Sequence, residues 1–148
     1  MQLIDNLKKL HLNSENYMVS YDIESLYTNV PVEETINLIL EQMNEDNTVM
    51  NGEKEEFKKM LIQATNNSYF MFNGEYYKQR EGLAMGQPLS APLANAFLCF
   101  HERRWLDQCP RAFRPIFYRR YVDDTYVIFK KKEHANEFFN YLSSHTLK

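Results

Sequence analysis

The sequence predicts an α+β fold in which a mostly antiparallel sheet is backed by helices. Three observations carry this expectation. Apolar residues recur at helical spacing in several separate segments, as in Val32, Ile36, Ile39, Leu40 and Met43. Between those segments lie short runs rich in β-branched and aromatic residues. Two of the runs flank Asn73-Gly74, the strongest short-range hairpin signal available to a chain. Helices alternating with hairpins favour an antiparallel sheet. With 148 residues and neither a linker nor an internal repeat, the chain reads as one continuous unit.

Each element has its own warrant. Residues 2–12 place Leu3, Leu7 and Leu10 on one face, which predicts a short amphipathic helix. Residues 17–23 are strand formers that close on an acid, Asp22. Pro31 suits a first helical turn, and Glu33 and Glu34 suit the positive end of the dipole, so a helix is expected over 32–46. Asn51-Gly52 precedes a second helix over 53–66, with Phe57, Met60, Leu61 and Ala64 as its apolar stripe. The hairpin pairs 69–72 with 75–79, and a loop over 80–89 leads to a helix over 92–107 with Leu93, Ala94, Phe97, Leu98 and Trp105 available for burial. Pro110 and Pro115 bracket a connector. Residues 116–122 and 125–129 predict two strands meeting at a tight Asp123-Asp124 turn, and Ala135, Phe138, Phe139 and Leu142 predict a last helix.

Composition narrows the class. Apolar residues make up 44% and aromatics 14%, which excludes an intrinsically disordered chain. No apolar run approaches the ~18 residues of a membrane span, and the two cysteines, Cys99 and Cys109, form no disulfide or zinc pattern. A soluble protein of a reducing compartment, without a membrane partner, is the expectation. The net charge of −3 conceals an asymmetry: residues 1–60 hold five Lys/Arg against twelve Asp/Glu, and residues 100–132 hold nine against four. That polarity suits a nucleic-acid face on one side or two ordinary solvated faces.

Three segments have residues suited to chemistry. Asp123 and Asp124 are adjacent acids between two apolar strands. They form either a plain solvated turn or a carboxylate pair neutralised by a divalent cation. Asp22 ends another apolar strand and either caps the following turn or is a second ligand source. If both strands lie in one sheet, Asp22 and Asp123 converge from different segments, as two-metal phosphoryl transfer requires. The third segment runs from Gly82 to Asn95 and leads a Gly-containing loop into a helix; Ser90 is its candidate N-cap, and a backbone bared at Gly86 would admit close approach of a base pair or sugar. It lacks the Gly-Lys-Ser/Thr ending of a Walker loop.

In order and spacing these segments resemble motifs A, B and C of a reverse transcriptase palm, and in detail the Penelope-like retroelement family. The resemblance lies in Ser20-Tyr21-Asp22-Ile23-Glu24-Ser25-Leu26-Tyr27-Thr28-Asn29-Val30-Pro31, in Ala84-Met85-Gly86-Gln87-Pro88-Leu89-Ser90, in Leu93-Ala94-Asn95-Ala96-Phe97, in His101-Glu102 and Trp105-Leu106, and in Tyr118-Arg119-Arg120-Tyr121-Val122-Asp123-Asp124. It implies a palm-like antiparallel sheet in a partial domain spanning 1–148, with most of the fingers and thumb absent. It also implies an RNA-directed DNA polymerase that transfers dNTPs to a primer 3'-hydroxyl on an RNA template. Asp22, Asp123 and Asp124 would be catalytic. Two Mg2+ ions, with Mn2+ as a substitute, would be held by Asp22, Asp123 and the Ile23 carbonyl. Tyr27 would be a steric gate against the ribose 2'-hydroxyl or, on the plainer reading, a core aromatic. Gly86, Gln87 and Ser90 would line the templating pair and nucleotide.

Arg119, Arg120 and Lys130 would either contact primer and template phosphates or lie solvated at strand ends. The sequence departs from many relatives in having Met85 before the motif B glycine, as is usual in the Penelope-like group, and Ala91-Pro92 after Ser90. A full-length element of this kind would work in the nucleus and can have an attached nuclease, which nothing here resembles. Without its flanking subdomains the chain is expected to expose apolar surface and to self-associate. The alternative function is a non-catalytic remnant that folds or binds nucleic acid without turnover.

Overall fold

The computed structural model describes residues 2–46 and 53–145. They form two compact units, one of the described residues up to Asp22 and from Trp105 onward, the other of those between Ile23 and Arg104. The Asn51-Gly52 break lies outside the described residues. None of the described helices is long and apolar enough to cross a membrane.

The first unit is built on a three-stranded antiparallel sheet of β1 (Tyr17–Asp22), β5 (Asp124–Phe129) and β4 (Phe117–Tyr121), in the order β1-β5-β4. As the central strand, β5 is the most buried: Val127, Ile128 and Phe129 are fully enclosed. The helix against this sheet is α6 (Lys132–His145), whose Ala135 and Phe138 meet Val127 and Phe129, with Val19, Tyr21 and Tyr118 at the margin. Tyr21 stacks on Phe139 at 5.9 Å and its hydroxyl donates to the Ala135 carbonyl at 2.8 Å. Burial, and secondarily the nearby Tyr17, push that phenol up to about 12.

The first helix, α1 (Gln2–Lys8), does not reach residue 12. The Asn13 side chain accepts from the Glu15 amide at 3.1 Å, and the Asn16 side chain accepts from the Asn13 amide at 2.7 Å. These local bonds offer the backbone a turn in place of a further helical turn.

The second unit contains α2 (Leu26–Asn29), α3 (Val32–Glu45), α4 (Lys54–Thr65), the ribbon β2 (Tyr69–Phe72) and β3 (Glu75–Lys78), and most of α5 (Ser90–Gln108). Its core joins Leu26 and Val30, Ile36 and Leu40 of α3, Leu83 of the following loop, and Leu93, Ala94, Phe97 and Leu98 of α5; Phe57, Leu61 and Ile62 of α4 pack beside it. Pro31 is the N-cap of α3 and not a first-turn residue: its backbone is extended, and its carbonyl accepts from the Thr35 amide at 2.9 Å and the Thr35 hydroxyl at 2.8 Å. Asn73 and Gly74 take positive φ, 51° and 82°, as a two-residue hairpin loop demands.

Two further features differ from expectation. The one-turn helix α2 was not anticipated; it interrupts what reads as a loop between Ser25 and Pro31, and Ser25 starts it from a left-handed φ of 53°. In α5 the helix begins at Ser90, so Ser90 is a helical residue and no N-cap. Its hydroxyl donates back to the Ala84 carbonyl at 2.6 Å, which closes the preceding loop.

Candidate active site

The acidic cluster is set by strand register. β1 and β5 pair so that Asp22 lies opposite Asp124, and β4 and β5 pair so that Tyr121 also lies opposite Asp124. The hairpin loop is therefore Val122-Asp123. This corrects the expectation of an Asp123-Asp124 turn: Asp123 is at the apex and Asp124 is the first residue of β5. The turn occupies two residues because Tyr121 and Asp124 are already cross-strand partners, and pairing over such a distance is invisible in the local sequence.

That loop is strained. Its first position needs positive φ, a seat usually filled by glycine, yet Val122 holds it at φ 59°. A β-branched residue in the left-handed region costs on the order of 1–3 kcal/mol, which the surroundings must offset. Arg120 contributes, donating from Nη1 to the Val122 carbonyl at 2.8 Å. Such outliers cluster at functional sites.

Residues directly opposite in an antiparallel pair share a face. Tyr21 and Thr125 point toward α6, so alternation sends Asp22 and Asp124 to the other face. Like charges placed opposite each other destabilise a strand pair. Among the described residues no hydrogen bond or ion pair engages the carboxylates of Asp22, Asp123 or Asp124. Asp22 and Asp124 are exposed and Asp123 is half-buried at the apex.

Among the described residues, no three His, Cys, Asp or Glu side chains form a ready-made metal cluster. A magnesium-type ion needs none, because it is held by one or two carboxylates and completes its shell with water and substrate phosphates. The donor set fits such an ion: hard carboxylate oxygens, uncommitted, at one end of the sheet.

Sequence reasoning missed one residue that fixes this geometry. Thr125 is buried, and its hydroxyl both accepts from the Tyr21 amide at 3.1 Å and donates to the Tyr21 carbonyl at 2.8 Å. It ties β5 to β1 at the residue pair next to Asp22 and Asp124. A threonine in a strand carries no sequence signal of this role, since the type is common in any strand.

The second unit holds the other expected residues. Ile23 follows Asp22 in the chain and packs against the second unit's core. Tyr27 lies on α2, half-buried against the same core, so its ring is at least partly a packing residue. The Tyr27 carbonyl accepts from the Leu83 amide at 2.7 Å, which pins the 80–89 loop to α2. Gly82 allows this contact: at φ 70°, a Cβ there would collide with the Thr28 backbone. Gly86 also has positive φ, 88°, but a Cβ there would meet nothing, so this backbone is bared as expected. The Gln87 carbonyl accepts from the Ser90 amide at 3.1 Å, and buried Ser90 spends its hydroxyl on Ala84. The structure thus brings Tyr27 together with the loop that carries Gly86 and Gln87 and leads into Ser90.

Of the basic residues, Arg119 is exposed, with its guanidinium 5.2 Å from the Phe117 ring centroid and Nη1 donating to the Tyr118 carbonyl at 3.1 Å. Arg120 is half-buried and braces the turn, and Lys130 is exposed just beyond β5.

No curated protein matches the chain. Among solved structures it is similar to apo telomerase from Candida tropicalis truncated from its C-terminal domain, with a TM-score of 0.69 and 18% identity over 97% of this chain. The chain spans only 30% of that structure, and at this identity the likeness establishes a shared fold, here a mixed helical and antiparallel partial domain. Residues 2–148 match the family described as reverse transcriptase (RNA-dependent DNA polymerase), and with motif order, sheet register and fold in agreement, the chain belongs to that family.

Proposed function

We propose that the chain is the palm core of an RNA-directed DNA polymerase of the Penelope-like retroelement group, acting in the nucleus as part of a fuller element. The observation that carries this is the cross-strand pairing of Asp22 with Asp124 beside Asp123 on a strained hairpin. The narrower group rests on the residue strings around Asp22, Gly86 and Asp123.

Asp22 and Asp123, with the Ile23 carbonyl, would hold two Mg2+ or Mn2+ ions, and Asp124 would support them electrostatically. When bound, the ions supply charge that acidifies the attacking hydroxyl and stabilises the leaving pyrophosphate. The remaining work is positioning. Tyr27 presents an aromatic ring against a ribose 2'-hydroxyl and so favours deoxynucleotides. Gly86 and Gln87 offer an open backbone and an amide to the templating pair, with Ser90 holding their loop in place. Arg119, Arg120 and Lys130 would meet primer and template phosphates, and the fingers and thumb of the fuller protein would hold the duplex.

The test is primer extension on poly(rA)/oligo(dT) with magnesium, comparing the chain with Asp123→Asn. Loss of a metal ligand removes several kcal/mol of transition-state stabilisation, so extension is expected to fall by at least ~10²-fold. Extension that Asp123→Asn retains in full would overturn the role given to Asp123. None by either protein, both folded, would favour for these residues alone a remnant that folds or binds nucleic acid without turnover.

A further inference from the structure

The β2-β3 ribbon is unlike the rest of the molecule. All eight of its strand residues are exposed, and they include Tyr69, Phe70, Met71, Phe72, Tyr76 and Tyr77. Register divides them between both faces: Tyr69, Met71 and Tyr76 on one, Phe70, Phe72 and Tyr77 on the other, with Phe70 and Tyr77 stacked at 5.6 Å. Among the described residues, neither strand pairs with anything but the other. A lone two-stranded ribbon is marginal in water, so a third strand would stabilise it.

The two free edges are not equivalent. β3 carries Glu75 and Lys78, charges of the kind that guard an edge, whereas β2 reads Tyr-Phe-Met-Phe with no charge and no proline. The backbone of β2 also points the right way. The Ser68 carbonyl accepts from the Gln79 amide at 2.9 Å, so Ser68, Phe70 and Phe72 turn their main-chain groups toward β3. Alternation then directs the N–H and C=O of Tyr69 and Met71 outward from the ribbon.

We propose that the β2 edge is a homotypic docking site, at which β2 of a second copy adds antiparallel to give a four-stranded sheet in the order β3-β2-β2-β3. A twofold axis perpendicular to the sheet makes such an interface isologous. With Met71 opposite Met71 of the second copy, the two main chains exchange their outward hydrogen bonds, and Phe70 falls opposite Phe72 of the second copy. No charge meets a like charge in this register. Residues 66–81 hold Lys78 and Arg80 against Glu75 and Glu81, a net charge of zero. That balance offers a polyanion no attraction, so the aromatic ribbon favours a second copy over a nucleic-acid strand. The inference is independent of the polymerase reading, and its test does not use turnover.

A contact of one short strand edge is smaller than a standard interface of ~800 Å² per partner, so the association is of the weak class. Sedimentation velocity of the full chain from about 1 to 200 μM reads it directly. The expected result is a concentration-dependent shift from 17.7 kDa toward twice that mass. Met71→Pro removes only an outward N–H, which an edge strand tolerates, and Met71→Lys charges the edge. Both are expected to remain monomeric across the range, with circular dichroism like the parent's; should one variant misfold, the other decides. A parent that stays monomeric to ~200 μM, or folded Met71→Pro or Met71→Lys that associates like the parent, would overturn the proposal.

Discussion

The site turns on a few side chains whose local chemistry is unfavourable by itself. Asp22 faces Asp124, and Val122 holds a left-handed φ, so both like-charge repulsion and backbone strain sit at one hairpin. What holds them there includes Thr125, whose single hydroxyl satisfies both the amide and the carbonyl of Tyr21. Thr125→Val keeps the shape and removes that hydroxyl, which leaves part-buried backbone groups of Tyr21 without that partner. It is expected to cost about 1–3 kcal/mol, measured by denaturant unfolding, with Thr125→Ser retaining most of the parent's stability. A Thr125→Val midpoint equal to that of the parent would show that the hydroxyl does not hold the strands in register. Asp123 was legible in the sequence as an acid at the hairpin apex. Asp124 was misplaced there, because the apex depends on which residues pair and not on which are polar.

At the scale of the element, the loop over 80–89 separates two glycines that look alike in the sequence. Both have positive φ, so an alanine at either one is strained by about 1–2 kcal/mol. Gly86 has open space beyond its Cα, whereas a Cβ at Gly82 would meet the Thr28 backbone. Gly82→Ala should therefore also disrupt the Leu83–Tyr27 bond and displace α2, for a total of roughly 3 kcal/mol or more. Gly86→Ala should remain near its strain cost alone. Comparing the two denaturation midpoints checks this, and equal losses would count against the pinning of the loop. The motif pointed to Gly86 as the exposed position, and its surroundings agree. The importance of Gly82 was hidden because its neighbour in space, Thr28, is far away in the chain.

At the scale of the whole molecule, stability is expected to depend on pH at both ends of the range. Burial holds the Tyr21 phenol at about 12, above its ordinary 10.0. The folded chain thus favours the protonated form: the contribution is complete below pH 10 and is lost as pH rises toward 12. His101 moves oppositely for an imidazole. Buried between Phe97 and Phe100, its pKa is lowered, mainly by desolvation and also by Arg104, while Glu34 at 4.0 Å works to raise it. Its contribution is present above pH 6.5 and declines as pH falls below that value. Thermal unfolding from pH 5 to 12 should decline at both ends, and the stability difference between parent and Tyr21→Phe should shrink between pH 10 and 12. A difference that stays constant across that window would disprove the assignment to Tyr21. Among the described residues, the exposed large apolar side chains include Tyr69, Phe70, Met71, Phe72, Tyr76 and Tyr77 of the β2-β3 ribbon.

The sequence by itself determined the order of most elements, the Asn73-Gly74 hairpin, the start of α3 after Pro31, and the succession of Asp22, Gly86 and Asp123 that marks the family. These depend on forces acting within a few residues: φ preference, helical periodicity, capping and turn chemistry. Tertiary structure decided that Asp22 lies opposite Asp124, that a valine occupies the positive-φ position, that Thr125 ties β5 to β1, and that the 80–89 loop is fastened to Tyr27. Each of these joins residues distant in the chain, where the deciding term is the pairing and packing of whole strands and helices, and no local pattern encodes which partner will arrive.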